Sequence, residues 1–218
     1  MLRNLLFFGL LLSTQYLYAV DDRFAVTSGA LSKKTDTNKA VQYYYGEDVQ
    51  QDFAMAKKLF EKSVWQYNDK ESLYYLGNIF FEGKGTKKDV KQGIAYYLQS
   101  AQKGYSIAQY RLAGIYLYGK LILKSTKKAL HWFLKAAKQG HAESQLAVAI
   151  MYLDKANIAK SYPYNPAIPR YLYKLLPNFR DSMHQAAYWL QKAHNNSIVA
   201  VSKKSMQLWN DNELWLYE

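Results

Sequence analysis

The 218-residue chain contains no cysteine, and its four prolines are confined to residues 163–177. Without cysteine there is no disulfide, no thiolate metal site, no thiol nucleophile and no lipid anchor attached at a cleavage-site cysteine. Stability must then come from packing. The lack of proline elsewhere leaves residues 1–162 without the strongest helix breaker. Long apolar runs are missing too. The run at residues 5–12 is well short of the ~20 residues a membrane span needs. Acidic residues are scarce. Lys and Arg number 29 against 17 Asp and Glu, for a net charge of +12. Between Phe81 and Gly140, twelve basic residues face only Glu82 and Asp89.

What is present is a folding composition. Half the residues are hydrophobic, with 21 Tyr, 9 Phe and 5 Trp. The N-terminus has the three parts of a signal peptide: Arg3, the apolar core Leu5–Leu12, and Ser13 to Ala19 leading to a cut before Val20. Leu17, three residues before the cut, is larger than such a site usually carries. Residues 20–35 read as a polar leader. An exported protein without disulfides is expected in a periplasm or secreted.

Self-similarity organises the rest. Residues Leu73–Gly83 align with Gln109–Gly119 at an offset of 36, placing Leu76 on Leu112, Gly77 on Ala113, Ile79 on Ile115 and Gly83 on Gly119. Residues Gly93–Gly104 align with Ala129–Gly140 at the same offset. Earlier and later copies appear at Asp52–Glu71 and Ala186–Ala193. Apolar residues recur at three- and four-residue spacing, as on a helical face. Gly83, Gly104, Gly119 and Gly140 fall where helices should stop. The small residues Gly77 and Gly93, with their equivalents Ala113 and Ala129, predict close approach of paired helices. The expected fold is an all-α solenoid of about four helix-turn-helix units, approximately residues 36–71, 72–107, 108–143 and 144–200, closed by a helix and tail over 198–218.

A Leu-Gly-x-x-Phe/Tyr-x-x-Gly helix is followed by one reading Ala129, Trp132, Phe133, Lys135, Ala136, Ala137, Gly140, His141 and Ala142. This pairing resembles the Sel1-like repeat, a relative of the tetratricopeptide repeat. The resemblance covers roughly residues 36–200. It is weaker in the first unit, whose first helix (Thr35 to Tyr45) lacks the Leu-Gly pair, and it is interrupted in the fourth. There 57 residues separate Trp132 from Trp189, where 36 is the rule. The 21 extra residues fall within 155–180, which holds all four prolines and several aromatics. Such an insertion maps to a loop, often on a binding face, or caps the stack.

Reactive constellations are missing. There is no G-x-S-x-G elbow, phosphate-binding Gly-rich loop or H-E-x-x-H pair. The histidines, His131, His141, His184 and His194, are at the wrong spacing for chelation and read as structural. Two S-x-x-K matches, Ser100…Lys103 and Ser125…Lys128, share the spacing of penicillin-recognising enzymes. Ser100 occupies a small-residue packing position, and Ser125 reads as a helix N-cap. No cofactor or metal is implied, and the chain reads as a non-enzyme. Aromatic pairs such as Tyr43-Tyr44 recur at repeat positions, so packing explains them better than nucleic-acid stacking does.

Function is expected to reside in binding. The resemblance implies a protein-interaction scaffold whose first helices line a concave face. The candidate contacts there are Tyr75, Asn78, Arg111 and Tyr118, with Tyr162, Tyr164, Arg170 and Tyr171 of the insertion as a rim. The basic middle suggests an acidic partner, or weak contact with anionic membrane. The resemblance also implies two alternatives: a periplasmic immunity protein that neutralises a toxic effector such as a phospholipase, and a β-lactam or peptidoglycan hydrolase.

Overall fold

The computed structural model describes residues 35–161, 177–196 and 198–212. The described residues form helices throughout, with no strand: α1 (Thr35–Tyr45), α2 (Phe53–Tyr67), α3 (Lys70–Glu82), α4 (Val90–Gln102), α5 (Ser106–Tyr118), α6 (Thr126–Lys138), α7 (Ala142–Ser161), α8 (Pro177–His194) and α9 (Val199–Asp211). Each helix packs on its neighbours in sequence, more closely within the pairs α1/α2, α3/α4, α5/α6 and α7/α8 than between them. One helical hairpin cannot bury its own apolar face, and stacking in chain order does it instead. The result is an α solenoid.

The turns explain why the hairpins repeat so faithfully. Gly46, Gly83 and Gly119 end the first helices in the left-handed conformation. Their N–H groups donate to the carbonyls of Gln42, Ile79 and Ile115. Six residues later Asp52, Asp89 and Ser125 donate their own N–H groups to Tyr43, Phe80 and Tyr116, at 2.9, 2.8 and 2.9 Å. Their side chains cap the second helices, accepting from Ala54 and Met55, from Gln92 and from Lys128. Orphan N–H groups at each helix start are thus satisfied the same way three times. Gly119 also makes room: a Cβ there would lie 2.8 Å from the Lys124 Cα.

Between units, Asn68, Gly104 and Gly140 adopt positive φ, and an asparagine tolerates this better than most residues. Gln109 and Gln145, 36 residues apart, each reach back through Nε2 to the previous helix, donating to the carbonyls of Ala101 and Ala137. These are side-chain clamps between successive units.

The small residues bring helices together as expected. A Cβ on Gly93 would lie 2.8 Å from the Phe81 nitrogen and 2.9 Å from the Gly77 oxygen, so α3 and α4 touch backbone to backbone. Tyr97 lies over Gly77, with Cδ1 2.5 Å from where a Cβ would be. The tyrosines form the core within and between units. Phe60 and Tyr75 stack at 4.8 Å, Tyr74 meets Tyr97 at 5.8 Å and Tyr105 at 5.5 Å, and Tyr110 meets Phe133 at 5.7 Å. Each such pair contributes about 0.5–1.5 kcal/mol beyond area burial. Every residue of α3 from Ser72 to Phe80 is buried, because α1 and α2 cover one side of it and α4 and α5 the other. A buried polar cluster ties the first units together: Thr37 bonds Ser63 at 2.6 Å, and Asp69 accepts from Thr37, the Ser72 hydroxyl and the Ser72 N–H.

The fourth unit departs from the sequence expectation. Helix α7 runs to Ser161, and α8 begins at Pro177, so both helices extend into the stretch expected to be insertion, 155–180. Proline is compatible with the first position of a helix, where its missing N–H has no intrahelical partner to lose. Residues 162–176 lie outside the described residues, as do the expected signal peptide and nearly all of the polar leader. No helix among the described residues is long and apolar enough to cross a membrane.

Candidate functional site

Two of the residues expected on an open first-helix face belong to the core. Tyr75 is 0% exposed and Asn78 is 1% exposed. Tyr75 packs against Tyr44 and Phe60 of the preceding unit. Asn78 accepts a hydrogen bond from the Tyr97 hydroxyl in its own hairpin. The physical reason is that α3 is enclosed on all sides, so no position in its middle turns is open to a partner. Tyr162, Tyr164, Arg170 and Tyr171 lie outside the described residues.

Arg111 and Tyr118 are half-buried, and they belong to a strip that continues into the next unit. Ile107, Arg111 and Tyr118 share one face of α5. Glu143, Ile150 and Asp154 share the corresponding face of α7, and all six are half-buried. Glu143 and Asp154 are the 36-residue equivalents of Ile107 and Tyr118. That offset would have located them in the sequence. A choice of candidate contacts from residue type alone favours Tyr and Arg and passes over carboxylates and isoleucines.

The electrostatics of the strip are mixed. Burial raises the Asp154 carboxyl above the ordinary carboxylate range. Asp154 has no ion-pair partner among the described residues. Burial also raises Tyr118, whose hydroxyl is enclosed without a hydrogen-bond partner. Burial raises the Tyr97 and Tyr110 hydroxyls, and Arg111 opposes both shifts. Beneath the strip, His141 caps α7. Its Nδ1 accepts from the Ser144 N–H at 3.3 Å, and its ring stacks on Tyr110 at 4.8 Å. Burial lowers the His141 pKa, and Glu143, 3.3 Å away, opposes the shift.

The other chemical candidates have structural occupations. The buried Ser100 hydroxyl donates to the Lys70 carbonyl. Ser125 caps α6, accepting from the Lys128 N–H at 3.3 Å. His194 bonds Ser202 through Nδ1 at 3.0 Å. Among the described residues there is no group of three or more potential metal ligands. The lysines of the middle of the chain lie mainly in the connections inside the second and third hairpins and in the first turns of the helices that follow. On this face Arg111 is the one basic residue beside two carboxylates, Glu143 and Asp154, so the acidic partner suggested by overall charge finds little basic counterpart there.

Comparison with known proteins agrees with the architecture. No curated protein matches the chain. Among solved structures, a Sel1 repeat protein from Oxalobacter formigenes is 24% identical over 52% of this chain and 84% of that one, with a TM-score of 0.46. A protective antigen of uropathogenic Escherichia coli strains with an SLR fold is 23% identical over 91% of this chain, with a TM-score of 0.52. The chain spans 44% of that structure, and the likeness concerns the fold. Sel1 repeat proteins generally act as protein–protein interaction scaffolds. The Sel1 repeat model matches residues 28–45, 40–64, 70–105, 106–141 and 179–195. These segments cover more than half of the sequence, with 70–105 and 106–141 matching the second and third hairpins and 179–195 falling on α8, and the chain belongs to the Sel1 repeat family.

Proposed function

We propose that this chain is an exported scaffold that holds a protein partner along the strip formed by Ile107, Arg111 and Tyr118 of α5 and Glu143, Ile150 and Asp154 of α7. The observation that carries this reading is Asp154, a carboxylate pushed up by burial with no cation beside it among the described residues. A lysine or arginine from a partner would offset that desolvation. The flanking isoleucines and the Tyr118 ring supply apolar area around it, and an apolar patch with a few charged anchors is the make-up of a protein interface. The Pro/Tyr-rich stretch begins directly after α7 and is the second contact element of the proposal. Nothing in the strip resembles a nucleophile with its base, and the binding reading needs none.

The test is affinity capture from periplasmic extract with cross-linking, comparing the parent chain with Asp154→Lys and Arg111→Glu. The expected result is a partner whose capture falls at least tenfold with either variant while helical content is kept. Capture that is equal for the parent and both variants, or empty even at low salt, overturns the reading. Export is tested separately. The periplasmic fraction should contain a chain beginning at Val20, and an unprocessed cytoplasmic chain contradicts it. An immunity role is the narrower form of the same proposal, with a toxic effector as partner. It requires that deletion of the gene sensitise cells to kin delivering that toxin.

A further inference from the structure

The basic residues and the most exposed leucines of the middle units meet on one edge of the solenoid. The connection between α3 and α4, with the first turn of α4, carries Lys84, Lys87, Lys88 and Lys91. The connection between α5 and α6, with the first turns of α6, carries Lys120, Lys124, Lys127 and Lys128. Lys84, Lys88 and Lys91 are the 36-residue equivalents of Lys120, Lys124 and Lys127. Contacts place the first two connections on the same edge, with Gly85 on Phe53 and Ala54 at the start of α2 and Lys84 over the Tyr44 and Phe53 rings, and the 36-residue repeat of the hairpins carries the third connection to the equivalent position. Lys84 is paired with Glu82. Lys87, Lys88, Lys91, Lys120, Lys124 and Lys127 have no ion-pair partner among the described residues. The remaining carboxylate here, Asp89, is occupied in capping α4. The first unit's connection carries Glu47, Asp48 and Asp52, which confines the positive surface to the second and third units.

Between Lys120 and Lys124 the chain reads Leu121-Ile122-Leu123. Ile122 packs against the core, while Leu121 is 48% exposed and Leu123 is 91% exposed. The alternation projects two leucines outward with lysines on either side.

We infer that this edge is a docking surface for an anionic lipid bilayer, with Leu121 and Leu123 entering the interface and the lysines of both connections meeting the headgroups. A leucine that protrudes from a turn needs a hollow in a protein partner, whereas the boundary between headgroups and acyl chains accepts it without any matching shape. Unpaired lysines spread over two parallel connections can reach one plane together. Mobile anionic headgroups can gather under them, and each lysine near such a surface raises affinity about fivefold. The inference is independent of the partner strip, which lies on other residues.

Because the chain has no cysteine, Leu123→Cys provides a unique site for an environment-sensitive fluorophore, and Gln102→Cys marks the opposite edge. Vesicles of phosphatidylcholine alone are compared with vesicles that also contain phosphatidylglycerol. The label at position 123 should brighten and shift to the blue on anionic vesicles, lose that response at high salt, and stay unchanged on neutral ones. The label at position 102 should not respond. In co-sedimentation, the binding added by anionic lipid should fall more than about a hundredfold when Lys87, Lys88, Lys124 and Lys127 become Gln. It should fall about tenfold or more for Leu121→Ser with Leu123→Ser. Helical content measured by circular dichroism controls for folding. An equal response on neutral and anionic vesicles, no response on either, or a response to a soluble acidic protein alone overturns the inference. The last outcome would assign the edge to a protein.

Discussion

The Tyr97 hydroxyl donates a 2.7 Å hydrogen bond to the side-chain carbonyl of Asn78, joining the two helices of the second hairpin across a gap closed to water. The bond explains why Asn78, polar and central on a first helix, faces no partner. Tyr97→Phe removes the donor and leaves the Asn78 oxygen buried and unsatisfied, at a cost of about 1–3 kcal/mol. Pairing it with Asn78→Leu should recover part of that loss. Urea unfolding of the two single variants and the double variant measures the coupling. Strictly additive losses would show that the bond contributes nothing.

Gly93→Ala should open the same hairpin. The added methyl meets the Phe81 nitrogen at 2.8 Å and the Gly77 oxygen at 2.9 Å, and these are backbone atoms that cannot rotate away. Overpacking of this kind costs about 1–3 kcal/mol or more, against a helix-propensity gain of about 1 kcal/mol. The expected net result is a lower thermal midpoint. The reverse change at the equivalent position, Ala129→Gly, creates no clash and should cost about 1 kcal/mol.

His141 should make stability pH-dependent. Its folded pKa is lowered by burial, so as pH falls below about 6.5 the unfolded chain takes up the proton first and the fold loses stability. Protonation also removes the Nδ1 acceptor that caps α7. His141→Asn keeps a capping acceptor and removes the titration. Its unfolding midpoint should vary less between pH 7 and pH 5 than that of the parent, although it is lower throughout because the Tyr110 stacking is lost.

Asp154 should act in the opposite direction. Its folded pKa is raised by burial, so ionisation disfavours the fold, and stability falls as pH rises above about 4. Asp154→Asn should therefore raise the unfolding midpoint at pH 7, with the gain vanishing below about pH 4. The same variant should weaken partner capture. Stability that improves while binding declines is the mark of a group held for a partner.

Much of the architecture is legible in the residues. The 36-residue offset, the turn glycines and the small positions each carry a local cause that survives without neighbours, and α1 spans Thr35–Tyr45 as its sequence predicts. Ser100 and Ser125 also read correctly, because packing size and capping are local properties. Tyr75 and Asn78 do not. Their helical spacing matches that of Arg111 and Gly114, of which Gly114 is buried and Arg111 half-buried, so exposure depends on the neighbours each position meets and not on its spacing. The extent of α7 and α8 was likewise hidden. The prolines forbid a continuous helix but do not fix where each helix ends.

The sequence by itself determined a stack of helical hairpins, because helix starts, stops and close-approach sites depend on a few residues within each repeat. The tertiary structure alone decided which repeat positions are open. Equivalent side chains see different neighbours along the stack: α3 and α5 are both inner helices, yet Tyr75 is sealed by the Tyr44, Tyr45 and Phe60 rings of the first unit, where Arg111 is half-exposed. Burial by distant segments, and not the side chain's own chemistry, made one a core residue and left the other available for binding.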